Sequence, residues 1–173
     1  KDKYTLTITR FGNVLGSSGS VLTIFEHYFS NDRPIPITDK RVTRYFMSIE
    51  EAVILLLESV IHSDGEKCLF LLDMGDPKNI IDLAEDFLLS KGVTPVHGSN
   101  IEVIGLRPGE KLYEELLLEN ENNIEKIKDK IFSIILSKDL IGNSEKIKKI
   151  PKIINKKYIK TIIKEYDENQ NLN

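Results

Sequence analysis

The stretch that most limits what this chain can fold into is Arg10-Phe11-Gly12-Asn13-Val14-Leu15-Gly16-Ser17-Ser18-Gly19-Ser20-Val21. Ahead of it, Tyr4 to Thr9 alternates apolar residues with threonine at period two, the mark of a strand. Behind it, Val21 to Phe29 is apolar enough to read as a helix, about Gly19 to Asn31 in full, with Phe25, Tyr28 and Phe29 on one inward face. A strand, a glycine- and serine-rich loop and a helix make a close-approach turn. Backbone N–H groups there can come near an anion at a helix N-terminus, or the turn can simply be tight.

Gly12, Gly16 and Gly19 fall close to a dinucleotide fingerprint, with Asp39 placed like a ribose-binding acid. That fingerprint needs a buried central strand ending at the acid. The segment here is Pro34-Ile35-Pro36-Ile37-Thr38, and two prolines suit an edge strand or a loop. We therefore read the loop as ligand-facing but not as a primary cofactor-phosphate loop.

Further along, Thr43-Arg44-Tyr45-Phe46-Met47 is a short β-like run, and Ser48-Ile49-Glu50-Glu51 is a capping box. The helix it starts runs to about His62 and is apolar nearly all round, which predicts burial. Cys68 to Leu72 is a continuous apolar run, expected as a strand covered on both faces of a parallel sheet, with Cys68 a buried thiol. Asn79 should cap a helix from Ile80 to Lys91 that ends at Gly92. Ile101 to Ile104 predicts a strand, followed by Leu106-Arg107-Pro108-Gly109-Glu110-Lys111 and a short acidic helix through Leu118. Strands and helices in this order argue for an α/β fold.

Beyond Asn120 the chain turns rich in Lys, Ile and Asn. Residues 1–123 carry a net charge of −8 and residues 124–173 one of +5. We divide the chain there, into a main part at 1–123 and a basic tail at 124–173. Ile124, Ile127, Ile131, Ile147, Ile150, Ile153 and Ile154 suggest one packed face rather than a nucleic-acid or membrane-binding tail. Within the tail, Lys130 to Leu136 suits a strand and Asn155 to Tyr166 a helix.

At 173 residues with 40% hydrophobic and 29% charged content, the chain has the make-up of a soluble globular protein. No apolar run approaches the roughly 20 residues of a membrane span, and no signal peptide opens it. With one cysteine there is no disulfide framework or zinc spacing, which fits a reducing, cytoplasmic location. The chain opens Lys1-Asp2-Lys3-Tyr4 without a methionine, and we expect a portion of a longer polypeptide.

The chemistry-bearing residues are few. Arg44 and Arg107 each offer a planar fork that suits a phosphate, or a surface ion pair. Asn13 adds an amide, and Glu110 could accept from ribose hydroxyls or merely start a helix. No tyrosine is followed four residues later by lysine, and His27, His62 and His97 are isolated. Asp73 and Asp76 make only a weak metal signal, so no catalytic residue and no metal site is assigned.

Four stretches in order, Thr9 to Val21, Thr43 to Met47, Leu72-Asp73-Met74-Gly75 and Leu106 to Leu116, resemble the C-terminal part of the CapD-like polysaccharide biosynthesis proteins. These are nucleotide-sugar 4,6-dehydratases and epimerases of the extended short-chain dehydrogenase/reductase superfamily. The resemblance covers residues 4 to about 120 and fades in the basic tail. It implies the C-terminal portion of a Rossmann-type fold, an incomplete parallel sheet with a substrate-binding subdomain. It also implies a UDP-N-acetyl-hexosamine substrate, NAD or NADP held mainly upstream, and a homo-oligomer in the whole enzyme, with an upstream membrane anchor an open option.

By the same resemblance, Asn13 approaches the sugar-nucleotide phosphates, Phe11 lies near the nicotinamide, and Val21 and Ile37 flank the uracil. Arg44 clamps the diphosphate, and Arg107 with Glu110 closes over ribose and phosphate. In such enzymes the sugar is oxidised at C4, loses water across C5–C6 and is reduced at C6. The family's glycine-rich cofactor loop and Tyr/Lys pair are absent here, so this portion should bind weakly and catalyse nothing alone. A 4-epimerase, or a non-catalytic nucleotide-sugar-binding module, is the alternative reading.

Overall fold

The computed structural model describes residues 6–64, 69–118, 121, 123–135, 159–164 and 168. In chain order its elements are β1 (Ile8–Arg10), β2 (Asn13–Val14), α1 (Val21–Phe29), β3 (Ile35–Ile37), β4 (Thr43–Arg44), β5 (Phe46–Met47) and α2 (Ile49–His62). They continue with β6 (Leu69–Leu72), β7 (Lys78–Asn79), α3 (Ile80–Ser90), β8 (Ile101–Val103), β9 (Ile124–Lys128) and β10 (Ile131–Ile134). The chain is mixed α/β with a partial parallel sheet. It divides into two compact units. One holds Lys1–Phe11, Glu50–Asp73 and Leu117–Asn173, the other Gly12–Ile49 and Met74–Leu116.

The first unit is built on a four-stranded sheet in the order β1-β6-β10-β9. Strand β6 is the apolar run Leu69-Phe70-Leu71-Leu72, and all four residues are buried. It has the central place its sequence predicts, but its two neighbours differ. β1 runs parallel to it, with Ile8 opposite Leu69, whereas β10 runs antiparallel, with Ile131 opposite Leu72. Cys68 and Tyr4 lie outside the described residues, so the opening strand is described only as Ile8–Arg10.

β9 and β10 form a hairpin across Asp129 and Lys130, where Lys130 takes a left-handed φ of 60°. This corrects the reading of the tail isoleucines as one face. Ile131 and Ile134 are buried in the sheet, Ile127 is half-buried and Ile124 is exposed, in keeping with side chains pointing to alternate faces of strands. Ile147, Ile150, Ile153 and Ile154 lie outside the described residues. The sheet thus joins strands from both sides of the 123/124 division. Residues 159–164 are helical, with Ile159 and Ile163 buried one turn apart.

Helix α2 begins directly after Ser48, but it is not covered all round. Ala52, Leu55, Glu58 and Ser59 are buried, while Ile49, Val53 and Leu56 are exposed. The hairpin is tied to the helix by ion pairs, Lys128 to the buried Glu58 and Lys130 to Glu51.

The second unit packs α1 and α3 with the parallel pair β3–β8. Phe25, Ile35, Ile37, Ile81, Ala84, Leu88 and Ile101 are its buried core. The Phe87 ring meets Phe25 at 5.8 Å and Phe29 at 5.9 Å between centroids. Tyr28 departs from the expected inward face and instead lies under Arg33, whose guanidinium is 4.6 Å from its ring centre. Because β3 pairs on one side only among the described residues, Pro36 lacks no ladder bond that a central strand would demand. Asn79 caps α3 by accepting the Ile81 N–H at 3.1 Å, and Gly92 ends it at φ +75°.

The run Thr43 to Met47 splits at Tyr45. β4 pairs antiparallel with β7, setting Arg44 opposite Lys78, and β5 pairs parallel with β2. No helix forms between Lys111 and Leu118, contrary to the sequence reading. The carbonyl of Leu112 accepts the Thr43 N–H at 3.1 Å, and Arg44 takes the carbonyls of Lys111 and Leu112. Acceptors engaged this way cannot serve a helix ladder. Among the described residues no helix is long and apolar enough to cross a membrane.

Candidate functional site

The glycine-rich loop brings Asn13 beside the arginine run through backbone pairing. The Asn13 N–H donates to the Tyr45 carbonyl at 2.9 Å, and Leu15 N–H to that of Met47 at 2.9 Å. Gly12 is required here by packing rather than by a ligand. A Cβ on it would lie 3.0 Å from the Tyr45 Cβ and 3.1 Å from the Met74 Sδ. Its N–H donates to that same sulfur at 2.7 Å, so it does not point at an anion. Gly12→Ala should therefore destabilise this unit by about 1–3 kcal/mol through overpacking. Chemical denaturation measures it, and an unchanged midpoint would show that Tyr45 and Met74 yield freely.

Asn13 presents an exposed side chain with no partner among the described residues. The N-cap of α1, Ser20, makes no capping bond to the helix backbone; its hydroxyl pairs with that of Thr23 at 3.1 Å. Donors at this end of the loop are thus open to solvent.

Arg44 is 9% exposed. One terminal nitrogen donates to the carbonyls of Thr43 at 2.8 Å and Leu112 at 3.3 Å. The other reaches the Lys111 carbonyl at 2.9 Å and Glu110 Oε1 at 3.4 Å. Its Nε lies 3.2 Å from Glu114 Oε1. Glu110 is equally engaged: Oε1 also accepts the Thr38 hydroxyl at 2.8 Å, and Oε2 accepts the Arg107 N–H at 3.2 Å. Together with the Glu110 N–H to Arg107 carbonyl bond at 3.0 Å, this closes the Arg107-Pro108-Gly109-Glu110 turn. Arg107 itself is exposed, and its guanidinium has no partner among the described residues.

The structure therefore joins Asn13, Arg44, Glu110 and Arg107 from three separate stretches through Tyr45 and the pinned turn. Two other residues expected at the substrate belong to the packed core or its margin. Ile37 is 1% exposed within the core, and Val21 packs against the same core. The Ile37 side chain fills the interior, and that of Val21 is half-buried against it. Phe11 is half-buried and belongs to the sheet-containing unit. Sequence reading missed Thr38 and Glu114. Only Glu114, one helical turn from Glu110, offered any signal.

Asp39, the fingerprint-like acid, is gripped by its neighbour Arg41, whose Nε and one terminal nitrogen each lie 2.9 Å from a carboxylate oxygen. These bonds from Arg41 hold its carboxyl down at about 2. His97 pairs with Glu85 at 2.7 Å on the surface. Among the described residues no group of acids, histidines or cysteines is arranged to hold a metal.

A family model described as polysaccharide biosynthesis protein matches residues 1–136. The capsular polysaccharide biosynthesis protein CapD of Staphylococcus aureus is 39% identical over 89% of this chain. The probable polysaccharide biosynthesis protein EpsC of Bacillus subtilis is 46% identical over 70%. The chain spans only 27% and 20% of those relatives' lengths. The X-ray structure of Pen from Bacillus thuringiensis superposes with a TM-score of 0.66 at 34% identity, covering 75% of this chain and 40% of that one. A UDP-N-acetylglucosamine 4,6-dehydratase (inverting) of Campylobacter jejuni matches 68% of the chain at 33% identity. A UDP-glucose 4-epimerase of Rickettsia felis matches 67% at 34%; the chain spans 32% of each. A glycine loop, an arginine strand and an Arg-Pro-Gly-Glu turn gathered in one unit, with a family match over residues 1–136, establish that this chain belongs to the polysaccharide biosynthesis protein family.

Proposed function

We propose that this chain is the UDP-sugar-binding portion of a UDP-N-acetylhexosamine 4,6-dehydratase serving polysaccharide biosynthesis. The observation that carries the reading is the Arg107 turn. An exposed, unpartnered guanidinium is held on a turn closed by Glu110, in the same unit as the open Asn13 amide. A planar fork on a pre-formed turn is suited to a diphosphate. Binding the UDP end would hold the sugar in place for chemistry performed elsewhere in the protein.

The resemblance brings NAD or NADP with it, as the group that would exchange hydride with the sugar. The described residues do not form a dinucleotide cradle: Gly12 faces Tyr45 and Met74, Asp39 is held by Arg41, and β3 is half of a two-stranded pair. No step is assigned to these residues through the cofactor. The likeness to UDP-glucose 4-epimerases, at 34% identity, favours a second reading as a 4-epimerase. Release of water from UDP-N-acetylglucosamine by the whole enzyme separates the two, since an epimerase product keeps the elements of its substrate.

The binding reading is tested on the full chain by titrating UDP and following backbone amide shifts, which register weak complexes. Arg107→Ala should weaken UDP roughly tenfold to a hundredfold, the worth of one charge-assisted contact of about 1.5–3 kcal/mol. Its melting temperature should not move, because the exposed guanidinium makes no hydrogen bond or ion pair among the described residues. Equal UDP affinity in wild type and variant would sink this site.

A further inference from the structure

We propose that Met74 is a redox-sensitive latch on the glycine-rich loop: oxidation of its thioether by a peroxide releases the backbone at Gly12 and loosens the pairing of β2 with β5, and reduction of the sulfoxide restores it. The device lies wholly within the second unit and does not depend on the UDP-binding reading.

The chain has two methionines, and both stand at this pair of strands. Met47 ends β5, and its carbonyl accepts the Leu15 N–H at 2.9 Å. Met74 follows β6, and its sulfur itself accepts the Gly12 N–H at 2.7 Å. Between these two bonds the Asn13 N–H donates to the Tyr45 carbonyl at 2.9 Å. A two-stranded pair is marginal by itself, so a contact at its entry has leverage. Gly12 is also boxed in, since a Cβ on it would lie 3.1 Å from the Met74 sulfur and 3.0 Å from the Tyr45 Cβ. An oxygen added to the lone pair that faces Gly12 has no room there. One added to the other lone pair turns a buried thioether into a strong dipole that must find water or a donor. In both cases the side chain moves, and the Gly12 N–H loses its acceptor. Met74 is the better target of the two: it is 8% exposed against 3% for Met47, and its neighbours Asp73, Gly75 and Asp76 are exposed.

In the step itself a sulfur lone pair attacks one oxygen of hydrogen peroxide. The S–O bond forms as the O–O bond breaks, and the departing hydroxide takes the proton left on the transferred oxygen and leaves as water. Sulfur gives up two electrons and the peroxide takes them. Methionine sulfoxide reductases reverse the change.

Hydrogen peroxide on the full chain, read by peptide mass and by amide hydrogen exchange, tests this. Met74 should gain one oxygen before Met47 does, and exchange at the Gly12, Asn13 and Leu15 amides should then rise about tenfold without change on α3. Methionine sulfoxide reductase with a thiol should return the slow rates. In Met74→Leu, which keeps the bulk but has no acceptor, the Gly12 amide should exchange fast from the start and peroxide should alter none of the three. Met47 oxidised first, or a Met74 that resists peroxide in the folded chain, would overturn the assignment. So would an oxidised Met74 that leaves the three amides unmoved or moves them only together with those of α3. Peroxide speeding these amides in Met74→Leu as it does in wild type would overturn it too. The wild-type arms decide the matter even where Met74→Leu fails to fold.

Discussion

Replacing Ile131 with aspartate should abolish the four-stranded sheet. Ile131 is fully buried on β10, opposite Leu72 of the central strand and Lys128 of the hairpin partner. Removing the isoleucine forfeits up to about 3 kcal/mol of apolar burial. An aspartate there must bury an unpaired charge or take up a proton, and either adds several kcal/mol more. A total beyond about 4 kcal/mol approaches the whole stability of an ordinary domain, about 5–15 kcal/mol. The control is Ile124→Asp, on an exposed position of the same hairpin, which should cost less than about 1 kcal/mol. Circular dichroism against urea reads both. Similar small shifts for the two variants would mean that the hairpin is a solvated appendage and not part of the sheet.

Phe25→Ala should destabilise the other unit by about 3–5 kcal/mol, the range for removing a buried aromatic ring. Its ring is tilted 60° against Phe87, and it lies in one core with Ile35, Ile37, Ala84 and Leu88. Deleting it opens a cavity that two short helices and a two-stranded pair have little material to fill. The comparison is Tyr28→Ala, three residues on, which removes a half-buried ring whose cation–π contact with the exposed Arg33 is worth about 0.5–1 kcal/mol. Amide exchange on the α3 backbone reports the stability of this unit separately from the sheet. Equal losses for Phe25 and Tyr28 would contradict the core described for α1.

These two tests fall where sequence and structure diverge. Local signals were legible from residues alone. Asn79 and Gly92 bracket α3 because capping and left-handed backbone are decided within a few residues. The run Leu69 to Leu72 announced a buried strand, and Pro36 announced one paired on a single side. The family was legible too, since its four stretches are contiguous and ordered.

What neighbours decide was not legible. The strand read at Lys130 to Leu136 was legible as β10, but its partners were not: that choice lay with β6, which offered β10 a free edge. Helix α2 looked coverable all round, yet its apolar residues divide between a buried face and an exposed one. The acidic stretch after Lys111 had helical composition, but Arg44, nearly seventy positions upstream, took its carbonyls first. The candidate site follows the same division. Its residue types, Asn13, Arg44, Arg107 and Glu110, were fixed by composition and motif. Which arginine faces solvent and which is buried among carboxylates depends on contacts from 66 to 68 positions apart. Only the folded chain brings such partners within a hydrogen bond of one another.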